Sequence, residues 1–432
     1  MKAKIINILK RDFVRVLGLT AFSNFLKIVI NLISTKVVAV LIGPQGVALI
    51  GQFNNLMTLA TITSSGGISN GIVKYVSEFK SEKSKYESYV NTALYITLIS
   101  SIVTAIGIII FAKSICLLLF SDLTYISIIY IVSLTITLYA LNSFFLSIIN
   151  GMKLYDKFIL INLISSVCGL IFTVILVYFY RMYGALLALA TYQSIVILIT
   201  INIVRRNNLF SIRNFKFNYS KIIGKQLFSF SLMAFIALIW PLVNILTRTT
   251  IINEISVDSA GIWDGMNRIS LLISALIGTA IATFYLPRLS EIIDNKTLRT
   301  EILSGMKLML SITFIMILGL YIFRDMIIDI LFTHQFSSMA DLFFYQLLGD
   351  FFWVAKMTLS VNMLAKAMTK QYIYVELGFG MLYYILSRIF IHYGFGIEGV
   401  SMSHFIYNLL YFIAMIFIFR DLLFQKHEEK LV

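Results

Sequence analysis

The sequence predicts an all-α polytopic membrane protein whose twelve transmembrane helices form two six-helix lobes. Composition, the spacing of apolar segments and an internal repeat support this fold class. Of the 432 residues, 59% are hydrophobic, whereas soluble domains contain about 45–50% apolar residues. The apolar runs reach about 20 residues without strand-like alternation, so they are long enough to cross a bilayer as helices and do not match a β-barrel.

Twelve windows of mainly apolar residues are the predicted spans. In chain order they are 13–41, 44–70, 88–112, 124–149, 158–180, 184–204, 226–251, 260–286, 303–323, 341–364, 371–391 and 397–419. The longest segment between spans is rich in Arg and Lys and separates six spans from six. We therefore predict an N-terminal lobe of residues 1–204, a basic cytoplasmic linker of 205–225 and a C-terminal lobe of 226–432.

Two long segments, 43–79 and 258–292, have similar beginnings and ends. A glycine followed by an aliphatic residue opens each segment, at Gly46 and, 215 positions later, at Gly261. The sequence aliphatic-Ser-Glu closes each segment, at Glu78 and, 213 positions later, at Glu291. Two halves of the same orientation predict a parallel repeat about an axis along the membrane normal, in which spans two and eight are equivalent and face each other.

The distribution of basic residues predicts the orientation. With the N-terminus inside, 26 of the 35 Lys and Arg residues fall in inner segments and four fall at outer ends. Because cytoplasmic loops carry an excess of Lys and Arg, both termini are predicted to be cytoplasmic. The net charge of +14 is then explained by topology, and we expect no nucleic-acid partner.

The sequence does not indicate an enzyme. Its four histidines lack metal-ligand spacing, and it contains no GxxxxGK[ST] phosphate-binding motif. The longest outer loop, about 324–340, is too short for a catalytic domain. We expect no cofactor, no metal site and, from two cysteines in or beside apolar segments, no disulfide.

Ionisable residues inside the spans are the candidate functional residues, because they are costly in hydrocarbon. The cations are Lys27, Lys36, Arg248, Arg268, Lys356 and Arg388, and the anions are Asp264, Asp350 and Glu376. The excess of cations predicts a site for an anionic group.

Depth in the membrane distinguishes the cations. Lys36, Arg248 and Arg388 fall near outer span ends, where snorkelling to headgroups is the alternative to a binding role. Lys27 and Lys356 fall too deep to snorkel at low cost, which predicts that they face a water-filled cavity.

The remaining candidates are two acidic residues, examined for ion-pair partners on their own helices, and a proline that bends a helix. Asp264 and Arg268 stand four residues apart on one helix face, so they form either a structural pair or part of a site. Asp350 lies about 240° around the helix from Lys356 and has no partner on its own span. Pro241 should kink span seven, either as a hinge or as an ordinary feature of a membrane helix.

Six segments carry a resemblance to a known family. They are KIVINLISTKVVAVLIGPQGVALIGQF, SGGISNGIVKYVSEF, AGIWDGMNRIS, FYLPRLSEI, DLFFYQLLGDFFWVAK and YIYVELG. Through these blocks nearly the whole chain resembles the Wzx-type O-antigen flippases of lipid-linked oligosaccharides, within the superfamily that includes MATE exporters and lipid II flippases. The blocks are most similar to the branch with the enterobacterial common antigen (lipid III) flippase.

The resemblance implies two lobes around a hydrophilic cavity lined by spans one, two, seven and eight. It implies that undecaprenyl-pyrophosphate-linked oligosaccharide units move by alternating access from the inner to the outer leaflet of the bacterial inner membrane. Basic residues on corresponding helices, here Lys27, Arg248 and Arg268, would hold the pyrophosphate. Span two departs from the lipid II flippases, since it has no Arg or Lys before Lys74. The resemblance also implies polysaccharide polymerase and chain-length proteins as partners.

The alternative function is a MATE-like drug or cation antiporter. Such a protein would favour an anionic cavity, whereas the ionisable residues here are mainly cationic. With no nucleotide motif, transport is expected to use an ion gradient, the membrane potential or the substrate gradient. Asp350, Asp264 and Glu376 are the candidate coupling residues.

Overall fold

The computed structural model describes residues 2–207, 209, 219–292, 294–366 and 368–424, without the side chains of residues 2–21, 233, 282, 283 and 369. The predicted linker residues Arg213 and Lys216 therefore lie outside the described residues, as do the predicted basic residues of the C-terminal tail, Lys426 and Lys430. Every regular element in the described part of the chain is helical. This agrees with the all-helical class predicted from composition.

Seventeen α-helices follow one another in the described residues. The first nine are α1 (Lys2–Leu41), α2 (Pro44–Ser64), α3 (Ser69–Phe79), α4 (Lys83–Ile110), α5 (Ala112–Phe120), α6 (Ile126–Gly151), α7 (Tyr155–Arg206), α8 (Lys221–Ile236) and α9 (Ile239–Glu254). The remaining eight are α10 (Val257–Ala280), α11 (Leu286–Glu291), α12 (Asn295–Ile322), α13 (Arg324–Leu331), α14 (Phe343–Ala365), α15 (Thr369–His392), α16 (Gly396–Ile418) and α17 (Arg420–Phe424). A π-helical segment, Ile281–Tyr285, joins α10 to α11, and a 3-10 helix, His334–Leu342, precedes α14.

Eight segments of the described chain are long and apolar enough to cross a membrane, so the protein is a multi-pass membrane protein. They are Phe22–Leu41, Lys83–Ile110, Ile126–Gly151, Tyr155–Arg206, Lys221–Glu254, Asn295–Ile322, Lys370–His392 and Gly396–Ile418. The segment Tyr155–Arg206 contains predicted spans five and six, which meet at Arg181, where φ is 50°. Predicted spans two, eight and ten correspond to α2, α10 and α14, which are 21, 24 and 23 residues long.

The described residues form two compact units. Unit 1 comprises Met1–Ile42 and Leu49–Ile245, and unit 2 comprises Gly43–Ala48 and Leu246–Val432. Helices α2 and α9 thus each contribute residues to both units. The linker at 205–225 stays a prediction, since residues 208 and 210–218 lie outside the described residues.

Unit 1 is built around α6, which packs against α4 and α7. The side chains of Ile128, Ile136, Phe144 and Ile148 on α6 are almost completely buried. At the end of α2, Gly66 has a positive φ of 66°, and its carbonyl accepts a hydrogen bond of 2.6 Å from the Ser231 hydroxyl. The small residues that end α2 therefore permit a close approach of α8.

Unit 2 is built around α14, which packs against α16 and α12. A Cβ atom at Gly349 would lie 2.3 Å from Cδ2 of His404. Since a side chain would not fit there, Gly349 allows α16 to approach the part of α14 that carries Asp350.

Prolines coincide with irregular helix geometry at two places. Helix α8 ends at Ile236 and α9 begins at Ile239, so the break lies about four residues before Pro241. The π-helical segment Ile281–Tyr285 similarly precedes Pro287. Proline removes a backbone donor and clashes with the carbonyl four residues earlier, which accounts for a local change of hydrogen bonding at these positions.

Candidate functional site

Polar side chains of α1 in unit 1 remain accessible in the middle of a predicted span. Lys27 is half-buried, and Asn24 and Asn31 stand three and four residues from it on the same helix face. Within the described residues no ion pair is found for Lys27. An accessible ammonium at this depth requires water, an anionic group or protein around it.

Helix α2 has a similar accessible polar face. Asn54 and Thr58 are exposed and stand four residues apart, and the Thr58 hydroxyl donates to the Asn54 carbonyl at 2.9 Å. The amide of Asn54 and the nearby half-buried Asn55 provide further donors and acceptors. Unit 1 therefore offers hydrogen-bonding groups, with one deep cation, to a polar ligand.

Arg248, Asp264 and Arg268 come together in unit 2. The Arg248 guanidinium, 3% exposed, forms an ion pair with Asp264 and lies 5.3 Å from the centre of the Trp263 ring. Arg268 Nε lies 3.4 Å from the other Asp264 oxygen, and its side chain is more accessible. The carboxylate thus neutralises a buried arginine, while Arg268 reaches the surroundings of the unit.

Lys356 lies in the interior of unit 2 and is only 2% exposed. Its ammonium donates a hydrogen bond of 2.6 Å to the Tyr407 hydroxyl and lies 4.4 Å and 4.2 Å from the ring centres of Tyr407 and Tyr411. The Tyr411 hydroxyl in turn donates to Glu376 at 2.9 Å. Two ring faces and a hydroxyl are a favourable environment for a desolvated ammonium.

Asp350 forms a second buried pair in unit 2. Its Oδ1 lies 3.1 Å from Nε2 of His404, while its buried Oδ2 has no hydrogen-bond partner among the described residues. The side-chain oxygens of Gln346 and Asn408 are also buried without a hydrogen-bond partner within that part of the chain. Gln346 precedes Asp350 by one helical turn, and Asn408 follows His404 by one turn, so the unsatisfied acceptors lie along the contact of α14 with α16.

The ring of Tyr383 on α15 packs near both the Lys356–Tyr407 contact and the Asp350–His404 pair. Its ring centre lies 5.4 Å from that of Tyr407 and 6.3 Å from that of His404. We call the whole set the buried polar network. Its members are Asp350, Lys356, Glu376, Tyr383, His404, Tyr407, Asn408 and Tyr411.

Lys36 and Arg388 lie apart from these groups. Lys36 lines an apolar groove of about 420 Å³ in unit 1, together with Val40, Val174 and Tyr178. Arg388 is exposed near the end of α15. Both positions are compatible with snorkelling as well as with binding.

His404 is the site residue that the sequence analysis missed. In the sequence, the four histidines stand out only by their lack of metal-ligand spacing. The available signal was that His404 is ionisable and falls inside predicted span twelve. Its pairing with Asp350, 54 residues away, depends on which helices are neighbours.

Comparisons with known proteins give the family and the fold. Residues 37–341 match the model of the family described as "Polysaccharide biosynthesis protein". The chain is 26% identical over 401 residues to a protein named lipid III flippase from Escherichia coli (strain K12), with 91% of this chain and 94% of that protein covered. A protein of the same name from Shigella flexneri matches equally.

Two solved structures show the fold. An inward-facing multidrug resistance MATE family transporter of the MOP superfamily has a TM-score of 0.79 and 14% identity, with 92% of this chain and 95% of that chain covered. The lipid II flippase MurJ, in an inward closed conformation, has a TM-score of 0.71 and 18% identity, with 94% and 87% covered. The all-helical fold is therefore that of MATE and MurJ. The family match covers more than half of the sequence, and the chain belongs to the polysaccharide biosynthesis protein family.

Proposed function

We propose that this protein is a flippase that moves undecaprenyl-pyrophosphate-linked oligosaccharide units from the inner to the outer leaflet of the bacterial inner membrane. The similarity to lipid III flippases over 91% of the chain supports the substrate class. The observation that carries the mechanism is that cationic and amide side chains stay accessible inside predicted spans, on α1 and α2 in unit 1 and, separately, on α10 in unit 2.

A pyrophosphate with attached sugars needs charged and hydrogen-bonding groups along its route, because the hydrocarbon core solvates neither. Lys27 and Arg268 are accessible cations that can meet phosphate oxygens, and Arg can do so with two parallel hydrogen bonds. Asn31 and Asn54 can exchange hydrogen bonds with sugar hydroxyls. The polyprenyl tail remains in lipid.

The other predicted substrate-binding residues take different parts in this proposal. Lys36 and Arg388, near outer span ends, would receive the phosphate as it reaches the outer leaflet. Arg248 and Lys356 are buried and act by holding helices in place, and they would reach the substrate only if the unit rearranged. The break before Pro241 would serve as the hinge.

A MATE-like antiporter for cationic drugs is the second candidate. It would need accessible anions, but Asp264, Asp350 and Glu376 are buried in unit 2 and paired with Arg248, His404 and Tyr411. The accessible candidates placed deep in the spans, Lys27 and Arg268, are both cations. This distribution favours an anionic substrate.

Deletion of the gene tests the proposal directly. We expect the lipid-linked oligosaccharide to accumulate in the inner leaflet and surface polysaccharide to be lost, with both restored by the intact chain. If the deletion strain instead becomes sensitive to cationic drugs while its surface polysaccharide is unchanged, the antiporter is the correct function.

Coupling to a proton gradient would use Asp350 together with His404, since the carboxylate and the imidazole lie 3.1 Å apart inside unit 2. In reconstituted vesicles, His404→Asn should reduce transport driven by a pH gradient by at least about tenfold. The exposed His392→Asn is the matched control and should transport normally. Transport that ignores pH, Na⁺ and potential gradients in the unsubstituted protein would rule out ion coupling.

A further inference from the structure

A cavity of about 550 Å³ in unit 2 lies where α11, α12, α14 and α17 meet, at helix ends predicted to face the cytoplasm. Its size is within the roughly 300–1,000 Å³ of small-molecule sites. The candidate transport residues described above do not line it. A role in substrate transport therefore does not account for this cavity.

One wall of the cavity is charged and polar. The Lys366 ammonium donates to the carbonyls of Leu289 at 3.0 Å and Ile292 at 2.5 Å, which fixes it at the end of α11. The Asp421 side chain, 78% exposed and 3.6 Å from Nε of the exposed Arg420, places a carboxylate at the same cavity. Asn362, one turn before Lys366 on α14, is buried, and its side-chain oxygen has no hydrogen-bond partner in the described residues.

The opposite wall is apolar. Ile292, Leu298 and Phe419 line it and are themselves almost fully buried, and exposed Ile418 extends the apolar surface outward. A ligand of this cavity must therefore combine an apolar part with groups of both charges. A purely anionic ligand would satisfy Lys366 but would place its charge beside Asp421.

We infer that the cavity binds a cytoplasmic-leaflet phospholipid whose headgroup carries both a phosphate and a primary amine, as phosphatidylethanolamine does. The phosphate meets the remaining N–H of Lys366, and the ammonium meets the Asp421 carboxylate. The start of an acyl chain lies along the exposed side chain of Ile418, beside Phe419. This binding braces the inner ends of α12, α14 and α17 and is independent of the substrate proposed above.

Lipid retention by the purified full-length chain tests this inference. The protein is incubated with mixed micelles that contain equimolar phosphatidylethanolamine and phosphatidylglycerol, and the lipid that it retains is quantified by native mass spectrometry. We expect phosphatidylethanolamine to be retained about tenfold over phosphatidylglycerol. Asp421→Asn should abolish this preference, because the exposed carboxylate is the only group changed.

Two further variants and two controls separate binding from folding. Ser290→Trp fills the cavity from its exposed rim and should reduce retention of both lipids, whereas Lys366→Gln removes the phosphate contact but also a support of α11. The controls Glu291→Gln and Lys370→Gln change exposed charges nearby that do not line the cavity. Equal retention of the two lipids by the unsubstituted protein, or unchanged retention in both Asp421→Asn and Ser290→Trp, would overturn the inference.

Discussion

Unit 1 and unit 2 are both helical bundles, but they differ in how they hold polar groups inside predicted spans. Among the described residues, the buried polar contacts of unit 1 are between neutral groups, as in the 2.7 Å hydrogen bond from Thr200 to Asn142. Its deepest cation, Lys27, remains accessible. Unit 2 instead buries Arg248 with Asp264 and encloses Lys356 between tyrosine rings.

This difference separates two uses of charge within one membrane protein. A buried ion pair fixes neighbouring helices, whereas an accessible cation retains its capacity to bind a ligand. Depth in the span, the criterion available from sequence, ranks Lys27 and Lys356 as equals. The structure distinguishes them by their partners. The substitutions below test that distinction, in order of decreasing expected effect on the free energy of unfolding.

The largest effect is expected for Asp264→Ala. The substitution leaves the Arg248 guanidinium buried without its carboxylate, which typically costs about 3–5 kcal/mol. Thermal or denaturant unfolding of the purified protein in detergent measures this loss. The control Asp258→Ala, at an exposed position in the first turn of the same helix, should cost less than about 1 kcal/mol.

A double variant sharpens this result. Arg248→Met with Asp264→Leu removes both charges and should recover most of the stability, because an apolar pair of similar size can replace a buried ion pair. If Asp264→Ala unfolds no more readily than Asp258→Ala, the buried pair does not stabilise unit 2.

Lys356→Met should destabilise unit 2 by about 2–4 kcal/mol, from the loss of a charged hydrogen bond to Tyr407 and of contacts with two ring faces. We expect the variant to have a lower unfolding midpoint and to give a lower yield of folded protein. Lys370→Met, at an exposed position, is the control and should be neutral. If Lys356→Met is as stable as the control but inactive in transport, Lys356 contacts the substrate and does not serve mainly to stabilise unit 2.

A close backbone contact within unit 2 provides the third test. A Cβ atom at Gly261 would lie 1.9 Å from the Pro44 carbonyl oxygen, so Gly261→Ala must displace the start of α2 at a cost of about 1–3 kcal/mol. Gly278→Ala, on the same helix, meets no atom within 4 Å and should gain up to about 1 kcal/mol from helix propensity. Equal unfolding midpoints for the two variants would show that Gly261 is not needed for the close approach of α2 to α10.

Much of the fold could be predicted because hydropathy and helix periodicity act locally. The helical class, the membrane location and the family are confirmed. The positions of α1, α4, α6, α12 and α16 follow from runs of apolar residues long enough to span a bilayer. Polar side chains interrupt the apolar runs of α2, α10 and α14, and several of them, such as Asn54, Asp264 and Asp350, belong to the candidate site.

The partners of the site residues could not be predicted in the same way. Asp264 and Arg268 are paired as their spacing of four allows, since that contact is local. The contacts of Lys356 with Tyr407 and of Asp350 with His404 require α16 to pack on α14, and one sequence contains no direct signal for that neighbour relation. The glycine at 349 that permits the approach is also recognisable only once the helices are placed.

Lys27→Ala is expected to have the smallest effect on stability and the clearest effect on function. Lys27 is half-buried and forms no ion pair with the described residues, so its removal should change the free energy of unfolding by less than about 0.5 kcal/mol. The same variant should fail to restore surface polysaccharide in the deletion strain, because the deepest accessible cation of unit 1 is lost from the route of the pyrophosphate. Lys27→Arg keeps the charge and is the matched control, which should retain transport. If Lys27→Ala complements fully at native expression, the accessible cation of unit 1 is not a substrate contact, and the contrast between the two units concerns stability alone.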